Sequence, residues 1–147
     1  MAIHVEGLAN TDPEVYATCL DRGDYDVVVQ SADEFYSSKG SQGIKFDLLV
    51  EEGPMQIITN KAGEIVREIS PVGRHIFASI YLPSASQKDG GAFCKTRLAT
   101  VMDVFEMKSD DIELQDAIGK RCRVRNVPKE SSNGAMYDDI VQWKSIE

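Results

Sequence analysis

GDYDVVVQSADEFYSSKGSQGIKFDLLV, residues 23–50, contains two strand patterns separated by a polar loop. The β-branched run from Tyr25 to Ser31 predicts a first strand, which can continue through Phe35 and Tyr36. From Ile44 to Val50, apolar and polar residues alternate with a period of two, which predicts a second strand with one buried face. The two strands are therefore expected to pair with each other.

The rest of the chain adds a short hairpin, three further strand patterns and one helix. MQIIT and EIVREI flank the turn Asn60–Gly63, which predicts an inserted hairpin at about residues 54–71. Between Ala92 and Met107, apolar residues recur at helical spacing along one stripe. The remaining β-like runs lie at residues 74–82, 121–127 and 137–146.

This order of elements predicts a mainly β protein. Five principal strands with a helix between strands 3 and 4 is the layout of an OB-type barrel, here with an extra β-hairpin insertion. Residues 1–22 form an N-terminal extension, and we expect residues 1–147 to be a single domain, because no repeat or linker interrupts the chain.

The charge of the chain limits its partners. Sixteen Lys and Arg against 24 Asp and Glu give a formal net charge of −8, which disfavours general adhesion to DNA or to anionic membranes. The segment 119–129, GKRCRVRNVPK, has five basic residues and no acidic one. A local basic site in an acidic protein is therefore expected.

The spacing of the cysteines and the character of the N-terminal residues indicate the cellular compartment. Cys19, Cys94 and Cys122 are widely spaced, and with two histidines they form no zinc pattern, so reduced thiols and no metal or cofactor are expected. The N-terminal residues lack a basic leader with an apolar stretch, and no apolar run reaches the length of a spanning helix. We expect a soluble intracellular protein without membrane contact.

Enzyme signatures are absent from the sequence. There is no GxSxG, phosphate-binding GxxxxGK[ST] or HExxH motif. Adjacent acids, such as Glu51–Glu52, Asp110–Asp111 and Asp138–Asp139, could bind magnesium or act as acid and base, but such pairs are typical of solvated strand ends. The expectation is a protein that is not an enzyme.

The basic segment predicts a row of guanidinium groups. In a strand, Cys122 and Val124 would point to the core, and the opposite face would carry Arg121, Arg123 and Arg125. Arginine donors suit phosphate oxygens. The alternative is that the row pairs with carboxylates such as Asp138 and Asp139 on an adjacent strand.

A second candidate surface is the aromatic phase of the third strand. If the core phase is Ile76, Ala78, Ile80 and Leu82, then His75, Phe77 and Tyr81 face outward, where aromatic rings can stack unpaired bases. The opposite phase, with Phe77 and Tyr81 in the core, is equally compatible with the pattern. Further aromatic and basic side chains could extend the surface: Phe35, Tyr36, Lys39, Tyr137 and Trp143.

Several segments resemble a known family. They are residues 23–50, GRHIFASIYLP at 73–83, CKTRLATVMDVF at 94–105 and IGKRCRVRNVPKESSNGAMYDDIVQW at 118–143. They are similar to the small phage-encoded OB-fold single-stranded-DNA-binding proteins of replication and recombination modules. The resemblance implies sequence-tolerant binding of single-stranded DNA in the bacterial host cytoplasm, without catalysis, and partners among phage recombinases, nucleases or replication proteins.

Carried over by position, Ser38–Gly40 is the first barrel loop, Lys45 lies on the second strand, and Gly119 with Lys120 opens the basic fourth strand. The hairpin at 54–71 departs from the family pattern, as does the C-terminal QWKSIE, which is not an acidic partner-recruiting tail. The candidate nucleic-acid-binding residues are Lys39, Lys45, Arg74, Phe77, Tyr81, Arg121, Arg123, Arg125, Lys129 and Trp143.

Another class of function stays open. An OB-type protein–protein adaptor with no nucleic-acid affinity would use the extra hairpin or the acidic segment 103–118, while Arg121 to Arg125 serve internal pairing. The exposed edge of the hairpin also leaves a homo-oligomer open, although its charged residues are typical of edge protection.

Overall fold

The computed structural model describes residues 2–11, 13–15 and 19–146. The described chain is mainly β, with one α-helix, α1, at Ala92–Val104 and short 3-10 turns at Leu8–Asn10 and Leu114–Ala117. The strands are β1 (Glu14–Val15), β2 (Gly23–Tyr36), β3 (Gln42–Glu52), β4 (Gln56–Asn60), β5 (Ile65–Ile69), β6 (His75–Tyr81), β7 (Arg121–Asn126), β8 (Lys129–Glu130), β9 (Met136–Tyr137) and β10 (Ile140–Lys144).

Five strands form the principal sheet, in the order β10-β7-β2-β3-β6, and every neighbouring pair is antiparallel. The predicted pairing of the first two strands is confirmed, since β2 and β3 run from Asp26 opposite Glu52 to Tyr36 opposite Gln42. Their loop is closed by the Ser37 amide, which donates to the Ser41 carbonyl at 2.8 Å. Gly40 has a φ of 84°, a conformation that favours glycine.

The predicted barrel is wrong, because the principal sheet is not closed. The outer edges of β6 and β10 do not pair with each other. A cleft of about 230 Å³, lined by Phe77–Ser79 of β6, Arg97 and residues 137–140, separates them instead of a ladder of backbone hydrogen bonds. We call this gap the seam. Helix α1 packs against both edge strands.

The predicted position of the helix, between strands 3 and 4, is also wrong when all strands of the chain are counted. Helix α1 follows β6, because β1 and the β4–β5 hairpin add three strands before it. Within the principal sheet, α1 connects β6 to β7.

The core is built from alternate residues of the strands and one face of α1. On β6, Ile76, Ala78 and Ile80 are buried, so of the two phases that the sequence left open, the structure has the one with the aromatic residues outward. Burial of a large apolar side chain is typically worth about 1.5–3 kcal/mol. The largest fully buried side chains include Tyr25, Phe46, Phe105, Leu20 and Leu48.

The predicted hairpin is confirmed as β4 and β5, which extend β1 into a small three-stranded sheet. The Asn60 side-chain oxygen accepts the amides of Ala62 and Glu64 and so closes the turn. The hairpin is fastened to the principal sheet by Gln56, whose amide nitrogen donates to the Tyr25 hydroxyl at 2.9 Å. Across the described residues, we find no helix with the length and apolar character needed to span a membrane.

Candidate nucleic-acid interface

The outer face of β6 presents two exposed aromatic rings. Burial alternates strictly along the strand, so that His75, Phe77, Ser79 and Tyr81 point away from the core. The exposed fraction is 57% for Phe77 and 43% for Tyr81. Solvent-facing rings on an antiparallel sheet are suited to stacking on unpaired bases.

A lysine from the neighbouring strand lies beside one of these rings. β3 pairs with β6 so that Lys45 is opposite Ser79. The Lys45 ammonium lies 5.3 Å from the centroid of the Phe77 ring, within the range of a cation–π contact. The pair therefore places a positive charge, which suits a phosphate, next to an aromatic ring, which suits a base.

The two ends of the aromatic face are held by neighbours. The His75 ring stacks on Phe77 with centroids 6.2 Å apart, and its Nδ1 lies 2.6 Å from Asp47 Oδ1. At the other end, Tyr81 meets Phe35 edge to face at a centroid distance of 5.6 Å. These contacts restrict the rings of Phe77 and Tyr81, so the two side chains lose less conformational entropy when a ligand binds.

Lys39 lies in the exposed loop between β2 and β3. It lines a cleft of about 360 Å³ together with Tyr36, Gln42 and residues 82–84, 86 and 87. The cleft adjoins the end of β6, so Lys39 and Tyr81 belong to one end of the sheet.

The predicted arginine row exists, and carboxylates hold it. Arg121 Nε donates to Glu51 Oε1 at 2.7 Å, and Nη2 donates to Oε2 at 3.3 Å. This bond raises the pKa of the Arg121 guanidinium. The remaining contacts of the basic segment are Arg123 to Asp26 at 2.7 Å, Arg125 to Asp24 at 3.7 Å, and Lys129 to Asp139 at 2.6 Å.

The partners of the three arginines differ from Asp138 and Asp139, which the sequence suggested for internal pairing, although Asp139 does pair with Lys129. The row faces β2 and β3, because β7 pairs with β2, and Asp24 and Asp26 lie opposite Arg125 and Arg123. Asp138 instead accepts the Leu20 amide at 2.7 Å.

Two other predicted site residues, Trp143 and Arg74, are buried or half-buried. Trp143, expected to extend the stacking surface, is only 6% exposed and packs against Phe46 at 5.7 Å and Phe105 at 6.1 Å between centroids. That expectation is corrected, because the indole fills the core. Arg74 is half-buried just before β6, where its carbonyl accepts the Val50 amide at 2.9 Å.

Sequence reasoning missed two side chains of α1. Phe93 is 68% exposed, and Arg97 Nη2 donates to the Ile140 carbonyl at 3.0 Å. Both line a groove of about 510 Å³ between α1 and β10, which we call the helix groove. The signal was available, since Phe93, Thr96, Arg97 and Thr100 follow the i, i+3, i+4, i+7 spacing of one helix face.

The described residues offer no metal centre, since no three histidine, cysteine, aspartate or glutamate side chains among them are grouped to hold an ion. The three cysteines are free thiols. Burial raises the pKa of the Cys122 thiol to about 12, so this thiol is protonated at neutral pH.

Comparison with known proteins gives no family: no family model matches the chain, and no curated protein matches it.

Proposed function

We propose that this protein binds single-stranded DNA in a sequence-tolerant manner and serves phage DNA replication or recombination without catalysis. The observation that carries the proposal is the exposed aromatic pair Phe77 and Tyr81 on β6, with the Lys45 ammonium 5.3 Å from the Phe77 centroid. Its interaction partners would be phage recombinases, nucleases or replication proteins, as the family resemblance implies.

The strand order supports the proposal by analogy. An OB fold is a partly open five-stranded barrel that binds oligonucleotides on strands 2 and 3 and on the loops after strands 1 and 4. In the principal sheet the corresponding elements are β3, β6, the loop 37–41 and the segment 127–139. Lys45, Phe77, Tyr81 and Lys39 all lie on these elements.

The energetics favour single strands over duplex. Each base stacked on an aromatic ring contributes about 1–3 kcal/mol, and every base has a face that can stack, so sequence matters little. In a duplex the bases are already stacked, and the net charge of −8 repels a second strand of phosphates.

The test is substitution of the stacking residues. Phe77→Ala and Tyr81→Ala should each weaken binding to oligo-dT about tenfold or more, since each removes one stacked base. Val66→Ala is the matched control, because Val66 is also exposed but lies on β5 of the small sheet. Equal affinity of all three variants and the wild type would remove the β6 face from the proposal.

A second candidate is a protein–protein adaptor. The ion pairs of Arg121 and Arg123 favour it, because these guanidinium groups are engaged within the sheet. Exposed Ile65 and Val66 on β5 provide an apolar edge for a partner. This candidate predicts no affinity for single-stranded DNA at physiological salt.

A further inference from the structure

We infer that a single strand bound on β6 continues across the seam into the helix groove, where Phe93 stacks a base and Arg97 holds a phosphate. The inference rests on the proposed function and extends it from a flat sheet face to a path around the open edge of the sheet.

The first support is that the two cavities lie side by side. The seam begins at Phe77 and Ser79 on β6, and the helix groove continues along β10. The two cavities share the lining residues Arg97, Asp139 and Ile140. Arg97 and Ile140, which line both cavities, are hydrogen-bonded to each other at 3.0 Å, so a strand that leaves the β6 face at Phe77 enters the helix groove by passing over this contact.

The second support is a row of exposed rings along this path. Phe77 stands at the start, Tyr137 in the seam is 46% exposed, and Phe93 is at the far end. Aromatic rings spaced along a groove are the usual platform for successive unpaired bases.

The third support is the Arg97 guanidinium at the junction. Two carboxylates also line the seam, and both have other partners: Asp139 pairs with Lys129 at 2.6 Å, and Asp138 accepts the Leu20 amide and the Asn126 side chain. Arg97 donates to the Ile140 carbonyl, which is neutral, so this bond orients the guanidinium without cancelling its charge. Arg121 and Arg123, in contrast, are each neutralised by a carboxylate. Arg97 is thus the cation of the seam best placed for a phosphate.

Trp143 adds a fourth observation. It lines the helix groove, and its buried Nε1 has no hydrogen-bond partner among the residues that the structure describes. An unpaired buried donor costs roughly 1–3 kcal/mol. Acceptors on a nucleotide in the groove are suited to this donor, and the choice of nucleic acid over peptide rests on the row of exposed rings.

The experiment compares two lengths of DNA by fluorescence anisotropy. Oligo-dT of about 5 nucleotides covers little more than the β6 face, and about 15 nucleotides approaches the upper site size of OB folds. Phe93→Ala and Arg97→Gln should weaken binding of the longer strand about tenfold and leave the shorter strand unchanged. Arg97→Gln should also reduce the salt slope by about 0.7 for the longer strand only, and Arg97→Lys should restore it.

Lys95→Gln is the matched control, since Lys95 is exposed on α1 but lines a different cleft. If Phe77→Ala weakens both lengths while Phe93→Ala and Arg97→Gln bind both as the wild type does, the path is overturned and the proposed function stands. If the wild type binds neither length, the proposed function itself fails. If the helix groove binds a peptide instead of DNA, Phe93→Ala and Arg97→Gln should bind both lengths of DNA as the wild type does.

Discussion

Asp26 and Arg123 form a bidentate ion pair, in which both carboxylate oxygens accept hydrogen bonds. Arg123 Nε donates to Asp26 Oδ1 at 2.7 Å, and Nη2 donates to Oδ2 at 3.2 Å. The bond raises the pKa of the guanidinium, so its charge is fixed at any accessible pH. A cation in such a fork offers less to an incoming phosphate than Lys45, whose ammonium lies over an aromatic ring.

The contrast between Arg123 and Lys45 can be measured. Lys45→Gln should weaken binding of oligo-dT and reduce the salt slope by about 0.7, the value for one phosphate contact on a single strand. Arg123→Gln should instead lower the urea midpoint of unfolding, because it leaves Asp26 without its partner, and should change the DNA affinity little. A loss of affinity for Arg123→Gln as large as for Lys45→Gln would assign the arginine row to the interface.

The variant Gly43→Ala tests whether Phe35 supports Tyr81 on the aromatic face. Gly43 lies opposite Tyr81, and a Cβ at this position would stand 2.5 Å from the Phe35 ring and 2.9 Å from the Ile80 carbonyl. Gly43→Ala should cost about 1–3 kcal/mol of unfolding free energy, as overpacking does. Because Phe35 holds Tyr81, binding of oligo-dT should weaken too, whereas Ser79→Ala on the exposed face should preserve stability. Unchanged stability of Gly43→Ala would show that Phe35 moves aside freely.

Trp143 should stabilise the fold and should not stack a base, because its ring is buried. Trp143→Ala should cost about 3–5 kcal/mol of unfolding free energy, as expected for a large buried aromatic side chain. Trp143→Phe should cost much less, because it keeps most of the packing against Phe46 and Phe105 and removes the unpaired indole N–H. Guanidinium unfolding followed by circular dichroism measures both, and equal losses would contradict this packing.

Cys122 gives the stability a dependence on alkaline pH. Its pKa is about 12 in the folded chain against an ordinary value of 9.0, so the folded state holds the thiol proton more tightly than the unfolded state. The stabilisation is complete below pH 9.0 and is lost as the pH rises towards about 12. The difference in unfolding free energy between the wild type and Cys122→Ala should therefore fall by about 1.4 kcal/mol per pH unit in this window. A constant difference would mean that the thiol is accessible to solvent.

Alternation in the sequence predicted the strands that have one buried face. The pairing of β2 with β3 follows from a period of two that needs no tertiary information, whereas the same period left both phases of β6 open, and only packing against the core shows that Phe77 and Tyr81 point outward. The hairpin at β4 and β5 follows in the same way from its turn, where Gly63 has a φ of 81°.

The predictions that were wrong concern contacts between elements that are distant in the sequence. The pairing of β10 with β7 shifts register between Ile140 and Gln142, so alternation along the chain could not place Trp143 in the core. The acidic partners of the arginine row come from β2 and β3, far away in sequence. The open seam depends on hydrogen bonds that β6 and β10 do not make, and Arg97 gains importance only because α1 lies beside that gap.

The most direct measurement is fluorescence anisotropy of the wild-type protein with labelled oligo-dT of about 30 nucleotides at two salt concentrations, with the matching duplex as control. We predict micromolar or tighter binding of the single strand, weakened by salt with a log-log slope near −0.7 for each phosphate contacted, and weaker binding of the duplex. Flat anisotropy at low salt would contradict single-stranded DNA binding and leave the protein–protein adaptor as the better account.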